Sequence, residues 1–255
     1  MNGSIIRKIL GYVLILESLL LLLPSLVALI YKESVVKFYI GCAALTFLCG
    51  LLLAIKKAKN TVFYLKEGCV ATALSWILLS FFGALPFYFS GEIPSLVDAM
   101  FETVSGFTTT GASILSDVEA VSRCSTTWRC FSHWIGGMGV LVFMMAILPL
   151  ADGENMHILR AESPGPIVSK LVPRMRKTAG ILYLIYLTMT MLEIIALLIS
   201  GLPTFDAVCM SLGTAGTGGF GLVVDSAASY TALQQVIITI FMVLFGVNFS
   251  FFYLI

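Results

Sequence analysis

The sequence predicts an all-α membrane protein built from two helix–re-entrant half-helix–helix repeats, preceded by an additional transmembrane helix pair. Three observations predict it. The 255-residue chain is 59% hydrophobic and 11% charged, with a mean hydropathy of +1.01, whereas a soluble domain carries about 25% charged residues. Six apolar runs approach or reach the roughly 20 residues that cross a bilayer as a helix. Between them one segment occurs twice: VDAMFETVSGFTTTGAS from Val97 to Ser113, and FDAVCMSLGTAGTGGFG from Phe205 to Gly221. Asp98 aligns with Asp206, Ala99 with Ala207, Thr109 with Thr217 and Gly111 with Gly219, all at one offset of 108 residues.

The spans are expected at Ile9–Ile30, Phe38–Ile55, Gly68–Phe89, Thr126–Leu150, Thr178–Ser200 and Leu233–Ile255. The N-terminal MNGSIIRKIL is basic and then apolar, but the run is long and lacks a small-residue cleavage site, so it reads as a retained first helix. Pro24 and Pro86 fall near helix ends, where a kink is tolerable. The expected organisation is a helix pair over 1–66, a first repeat over 67–150, a loop over 151–177 and a second repeat over 178–255. With the N-terminus inside, Arg7, Lys8, Lys56, Lys57, Lys59, Lys66, Arg160, Lys170, Arg174, Arg176 and Lys177 are cytoplasmic. Only Lys32, Lys37, Arg123 and Arg129 then lie outside, as the positive-inside rule requires.

Two segments cannot span. Residues 95–106 and 204–212 are half the needed length, with Pro94 and Pro203 at their starts, where proline suits a first helical turn. They read as re-entrant half-helices followed by non-helical backbone, which survives at membrane depth only when buried in protein or lining a wet cavity. The backbone after them is Thr108-Thr109-Thr110-Gly111-Ala112 in one repeat and Gly216-Thr217-Gly218-Gly219-Phe220 in the other. Such segments replace the hydration shell of a cation with carbonyl and hydroxyl oxygens, as TVGYG does in potassium channels. Glycine allows the unusual dihedrals, and a half-helix C-terminus turns partial negative charge towards the ion. The plainer reading is a pair of turns or small-residue helix contacts. A phosphate cradle is excluded for GTAGTGGFG, which has no P-loop lysine and no preceding strand.

Other residues have two readings each. Asp98 and Asp206 stand in the first turn of their half-helices, where an acid satisfies free N–H groups; the alternative is direct cation attraction at an outer mouth. Glu102, two turns before the first loop, is expected to brace it through a hydrogen bond; its repeat partner is Met210. The outer acids Glu33, Glu92, Asp98, Glu102, Asp117, Glu119, Asp206 and Asp225 either concentrate cations or are ordinary solvated charge. Glu17 and Glu193 are costly within spans and are expected to hydrogen-bond between helices. His133 and His157 lack ligand partners at metal spacing and read as packing or surface residues. Gly136, Gly137 and Gly139 permit close helix contact, and Gly246 with Asn248 is a candidate kink. Cys42, Cys49, Cys69 and Cys209 read as small core residues; Cys124 and Cys130, near the outer face, are a possible disulfide. A net charge of +1 with no basic run interleaved with aromatics gives no sign of nucleic-acid binding. No paired intramembrane His, Asp or Cys constellation supports a membrane enzyme.

FETVSGFTTTGAS, SHWIGGMGVLVF and GTGGFG followed by LFGVNFSFFY resemble the Trk/Ktr/HKT superfamily of potassium transporters, in its bacterial TrkH branch. The resemblance covers nearly the whole chain. It implies a potassium-channel-like fold of four such repeats around one pore, of which this chain holds two. The chain then reads as an N-terminal half, cut within its last helix. The resemblance further implies that Gly111 and Gly219 match the family's filter glycines, that K+ is the transported ion with no other cofactor, and that uptake proceeds through the filter, as a channel or by symport. It also implies a homodimer of full-length chains on cytoplasmic TrkA-like nucleotide-binding subunits, in a bacterial inner membrane. A sodium-permeable or mixed cation transporter of the same fold, or a non-conducting scaffold fragment, is the alternative.

Overall fold

The computed structural model describes residues 2–56, 65–139 and 175–247. The expectations for the loop at 151–177, for the second part of the Thr126–Leu150 span, for His157 and for Asn248 with the last residues lie outside them, apart from the start of a helix at Met175. Among the described residues every regular element is helical. Among the described residues four helices are long and apolar enough to cross a membrane, within Gly3–Ile30, Val36–Ile55, Lys66–Ser90 and Ala179–Ile199. The chain divides into two units, Met1–Met100 with Gly139–Ala179, and Phe101–Met138 with Gly180–Ile255.

The first unit is led by α1 (Gly3–Leu20) and α2 (Leu22–Ile30). They are two helices because Pro24 has no N–H to give and its ring crowds the carbonyl of Leu20. Helix α1 starts six residues before the expected Ile9, held there by polar contacts that hydropathy does not register. The Asn2 N–H donates to Glu67 Oε1 at 3.0 Å, and Arg7 donates to the Lys56 carbonyl at 2.8 Å, at the end of α3 (Val36–Ile55). Helix α4 runs from Leu65 to Ser90 and contains Pro86.

Helices α1 and α3 cross backbone to backbone. A Cβ on Gly11 would come within 2.7 Å of the Gly50 carbonyl and the Ala54 N, and one on Gly50 within 2.8 Å of the Gly11 carbonyl. Small residues at a crossing are how helices associate where lipid removes the hydrophobic drive. Leu14, Cys42, Phe82 and Leu85 form the core between helices. Hydroxyls here satisfy themselves locally: Ser25 donates to the Leu21 carbonyl, Thr46 to that of Cys42 and Ser75 to that of Ala71. Leu19, Leu26, Leu29, Leu48 and Leu52 stay exposed, as a face turned to lipid does.

Helix α5 (Leu96–Phe107) leads from the first unit into the second, which also holds α6 (Arg123–Met138), α7 (Met175–Ile199), α8 (Thr204–Ala215) and α9 (Ala232–Gly246). Helix α8 runs past the expected end at 212, and Gly213, inside it, lies against the Phe220 carbonyl. Cys130, Leu197, Ala207, Cys209, Met210, Leu222 and Ile238 make its core. An aromatic row extends it: Phe131 stacks on Trp134 at 5.8 Å, Trp134 lies 5.3 Å from Tyr186, and Tyr186 5.4 Å from Phe245. The Tyr186 hydroxyl donates to the Trp134 carbonyl, and the Trp134 indole to Thr190. Leu184, Leu187, Met191, Ile195 and Leu198 recur at helical spacing on the exposed side of α7. None of the six cysteines is in a disulfide. Cys124 and Cys130 cannot bridge, because both lie on α6 and six residues of helix separate them by about 9 Å.

Candidate functional site

The two Thr/Gly segments leave α5 and α8 along the same path. The Ala99 N–H donates to the Ser95 carbonyl and the Ala207 N–H to that of Pro203. The Thr109 N–H donates to the Gly106 carbonyl at 3.0 Å and the Thr217 N–H to that of Thr214 at 2.8 Å. Thr109 and Thr217 both hold a positive φ, 56° and 59°, and Gly111 and Gly219 do so at 73° and 71°. A β-branched residue in the left-handed region costs about 1–3 kcal/mol and persists only where its surroundings over-determine it. The same strain at the same place in both copies is a matched geometry, which two unrelated turns would not share.

The loops also touch. A Cβ on Gly111 would overlap the Gly218 carbonyl, and one on Gly218 would overlap the Thr109 carbonyl. Only glycine fits at either position. Gly219 differs: a Cβ there would meet only Met242, at 3.6 Å, so its constraint is the dihedral rather than space. Thr108 and Thr110 are exposed and share a 2.9 Å hydrogen bond, while Thr108 also donates to the Val104 carbonyl. Ala112 and Thr217 are exposed, and Gly216 and Phe220 are buried. The loops themselves carry carbonyls and hydroxyls but no charged side chain.

Helix α6 forms the wall behind them. Its Ser132 and Gly136 approach so closely that a Cβ on Gly106 would overlap Ser132 Oγ, and one on Gly136 the Phe107 carbonyl. Gly137 meets the Tyr186 hydroxyl and the Ala215 carbonyl. Arg129 and His133, one turn apart, reach the loops. Arg129 Nε lies 2.6 Å from Glu102 Oε1, with both side chains buried. The Glu102 carboxylate also accepts from the Ser113 hydroxyl and from the Ile114 N–H at 2.9 Å. Arg129 reaches the Gly221 carbonyl at 3.4 Å and lies 4.6 Å from the centre of the Phe220 ring. One ion pair thereby ties the exits of both loops.

Glu102 thus takes its hydrogen bonds from the two residues that follow the first loop. Arg129, one of the four cations expected on the outer side, is 1% exposed, tolerable because Glu102 neutralises it. His133, expected to pack, is fully buried but accepts a hydrogen bond on Nε2 from the Gly218 N–H at 3.1 Å. Sequence reasoning missed both roles. The available signal was an arginine inside an apolar run with histidine and glycines following at i+4, i+7 and i+8.

Asp98 and Asp206 lie in the first turns of α5 and α8, half-buried. The side chain accepting at the start of α5 is the Ser95 hydroxyl, which takes the Asp98 N–H at 3.3 Å. Pro203 precedes α8 without a side-chain cap. Glu17 is fully buried, yet neither of its carboxylate oxygens has a hydrogen-bond partner among the described residues, so the expected interhelical bond is absent there. Glu193 is buried beside Thr214, whose hydroxyl is spent on the Met210 carbonyl. Among the described residues no group of three or more His, Cys, Asp or Glu is placed to hold a metal ion.

Residues 34–255 match the family described as TrkH, cation transport protein. The chain is 36% identical to the Trk system potassium uptake protein TrkH of Salmonella typhimurium, over 98% of this chain and 53% of that protein. It is 32% identical to the Trk system potassium uptake protein TrkG of Escherichia coli K12, over 100% and 54%. The crystal structure of the potassium transporter TrkH from Vibrio parahaemolyticus superposes with a TM-score of 0.79 at 29% identity, over 98% of this chain and 51% of that one. The chain spans about half the length of the curated relatives it matches.

Proposed function

The chain belongs to the TrkH family of cation transport proteins, and from that premise we propose that it forms the first two quarters of a potassium uptake pore. The protein is a transporter rather than an enzyme. The loops 108–112 and 216–220 serve as two strands of its selectivity filter, where loop oxygens replace the water around K+. The observation that carries this reading is the paired geometry: left-handed Thr109 and Gly111 recur as Thr217 and Gly219, and the strands meet at Gly111 and Gly218. Strain held at one spacing in two copies fits a site that must present fixed oxygens to an ion.

Two repeats supply half of a ring, so further filter strands complete the pore. The helix organisation is a front pair followed by two units of helix, re-entrant half-helix and helix. The membrane is a bacterial inner membrane with the N-terminus cytoplasmic, and TrkA-like nucleotide-binding subunits gate a homodimer of full-length chains. Flux measured against proton and sodium gradients distinguishes symport from a channel. A sodium-permeable transporter is the second reading; the glycine at position 111, sterically obligatory here, favours potassium by the family resemblance.

The test is Gly111→Ser in the protein expressed from its whole open reading frame, read as potassium uptake and rubidium-over-sodium discrimination. The expected outcome is loss of both at normal membrane abundance. Unchanged rate and discrimination would remove Gly111 from the filter.

A further inference from the structure

We infer that His133 is a positioning residue for ion selection: through Nε2 its imidazole fixes the second Thr/Gly loop by accepting the Gly218 N–H. This rests on the reading of the loops as filter strands.

The residue equivalent to Gly218 in the first loop is Thr110, whose N–H donates to the Ser105 carbonyl at 2.9 Å, within its own half-helix. In the second loop the same N–H turns instead to His133 Nε2, at 3.1 Å, 85 residues away in sequence. A main-chain acceptor in one copy is replaced by a side chain in the other. The ring is packed against that loop. It is fully buried, and a Cβ on Gly216 or on Gly218 would overlap it. The Phe220 ring lies 4.9 Å from it. His133 therefore touches residues 216, 218 and 220, alternate positions along one side of the strand. Thr217 stays exposed, and a Cβ on Gly219 would meet only Met242, which leaves the other side open.

The bond dictates the chemistry of the ring. A nitrogen that accepts from an N–H carries no proton, so any imidazole proton sits on Nδ1. Nδ1 has no hydrogen-bond partner among the described residues. The acceptor is thus Nε2 alone, and substitutions can separate it from the ring's bulk. Glutamine presents its amide oxygen near the place of Nε2. Asparagine, one methylene shorter, presents its polar atoms near the place of Nδ1 and cannot reach Gly218.

The experiment expresses His133→Gln and His133→Asn from the whole open reading frame. It measures membrane abundance, potassium uptake and rubidium-over-sodium discrimination. The expected result is H133Q within about twofold of the wild type, and H133N with discrimination lowered about tenfold at equal abundance, the scale of one lost backbone hydrogen bond. Wild-type discrimination in both variants would overturn the inference. So would equal loss in both, since ring shape rather than the acceptor would then matter. Should H133N fail to reach the membrane, H133L, apolar and without an acceptor, replaces it on the same criterion. A wild type that itself fails to discriminate would sink the filter reading, and the inference with it.

Discussion

The two Thr/Gly loops share a backbone but not their supports. The first is held by its own half-helix and by the buried carboxylate of Glu102, which takes the Ser113 hydroxyl and the Ile114 N–H. The second has Met210 where the first has Glu102, and is held from outside by His133 and by the guanidinium of Arg129 over Phe220. The difference teaches that dihedrals and spacing can match between two segments whose supports differ. A carboxylate serves one copy and an aromatic wedge the other, and helix α6 supplies the counterpart to each.

The largest contrast lies within the loops. Gly111→Ala must displace the Gly218 carbonyl and so abolish selective uptake. Gly219→Ala meets only the dihedral cost of about 1 kcal/mol and retains measurable, weakened uptake. Parallel rubidium flux assays compare them; equal severity would mean that strain, not crowding, governs the loops.

The second contrast concerns the supports. Glu102→Met, which copies the second repeat, strands Arg129 as an unpaired buried charge and costs about 3–5 kcal/mol. Adding Arg129→Leu removes the stranded charge and recovers much of that loss. Thermal stability of the purified single and double variants in detergent reads this out. A double variant no better than E102M would show that the pair acts mainly on the loop exits rather than through its charge.

A third contrast sets the loops against the front helices. Gly50→Leu forces α1 and α3 apart, so the protein loses stability while the molecules that remain folded keep wild-type discrimination. Abundance and discrimination measured together separate the effects, and altered discrimination would extend the selective region into the first unit. The smallest effect is expected at α9. The Thr231 hydroxyl accepts the Gln234 N–H while the Gln234 side chain accepts the Thr231 N–H. Thr231→Ala should cost about 1 kcal/mol and lower the melting temperature slightly, with uptake unchanged.

What could be read from the sequence follows from range. The helices follow from composition, and the twin segments from self-similarity over 17 residues, both local signals. Glu102 stood out in the sequence because a charge two turns before a loop has few other uses than a hydrogen bond to it. Arg129 and His133 did not. Their partners lie 27 and 85 residues away, and both sit in a stretch whose hydropathy says only that it is a helix. The meeting of Gly111 with Gly218 was likewise hidden, since two glycines in two loops do not announce which carbonyl each must clear. Glu17 shows the opposite failure: the sequence marked it as a hydrogen-bonding residue, and burial without a partner among the described residues is what the fold supplies.

Helix α6 has a mechanical consequence. Both loops are gripped by residues one turn apart on a single rod, with Arg129 joined to Glu102 and leaning on Phe220, and His133 seated against Gly218. A side chain whose tip stands about 6 Å from a helix axis sweeps about 2 Å when the helix turns by about 20°. That sweep is enough to break the 3.1 Å bond to Gly218 and the ion pair in one movement. Torque applied anywhere along this helix would therefore reach both loops together, and neither could shift while the other stayed in place.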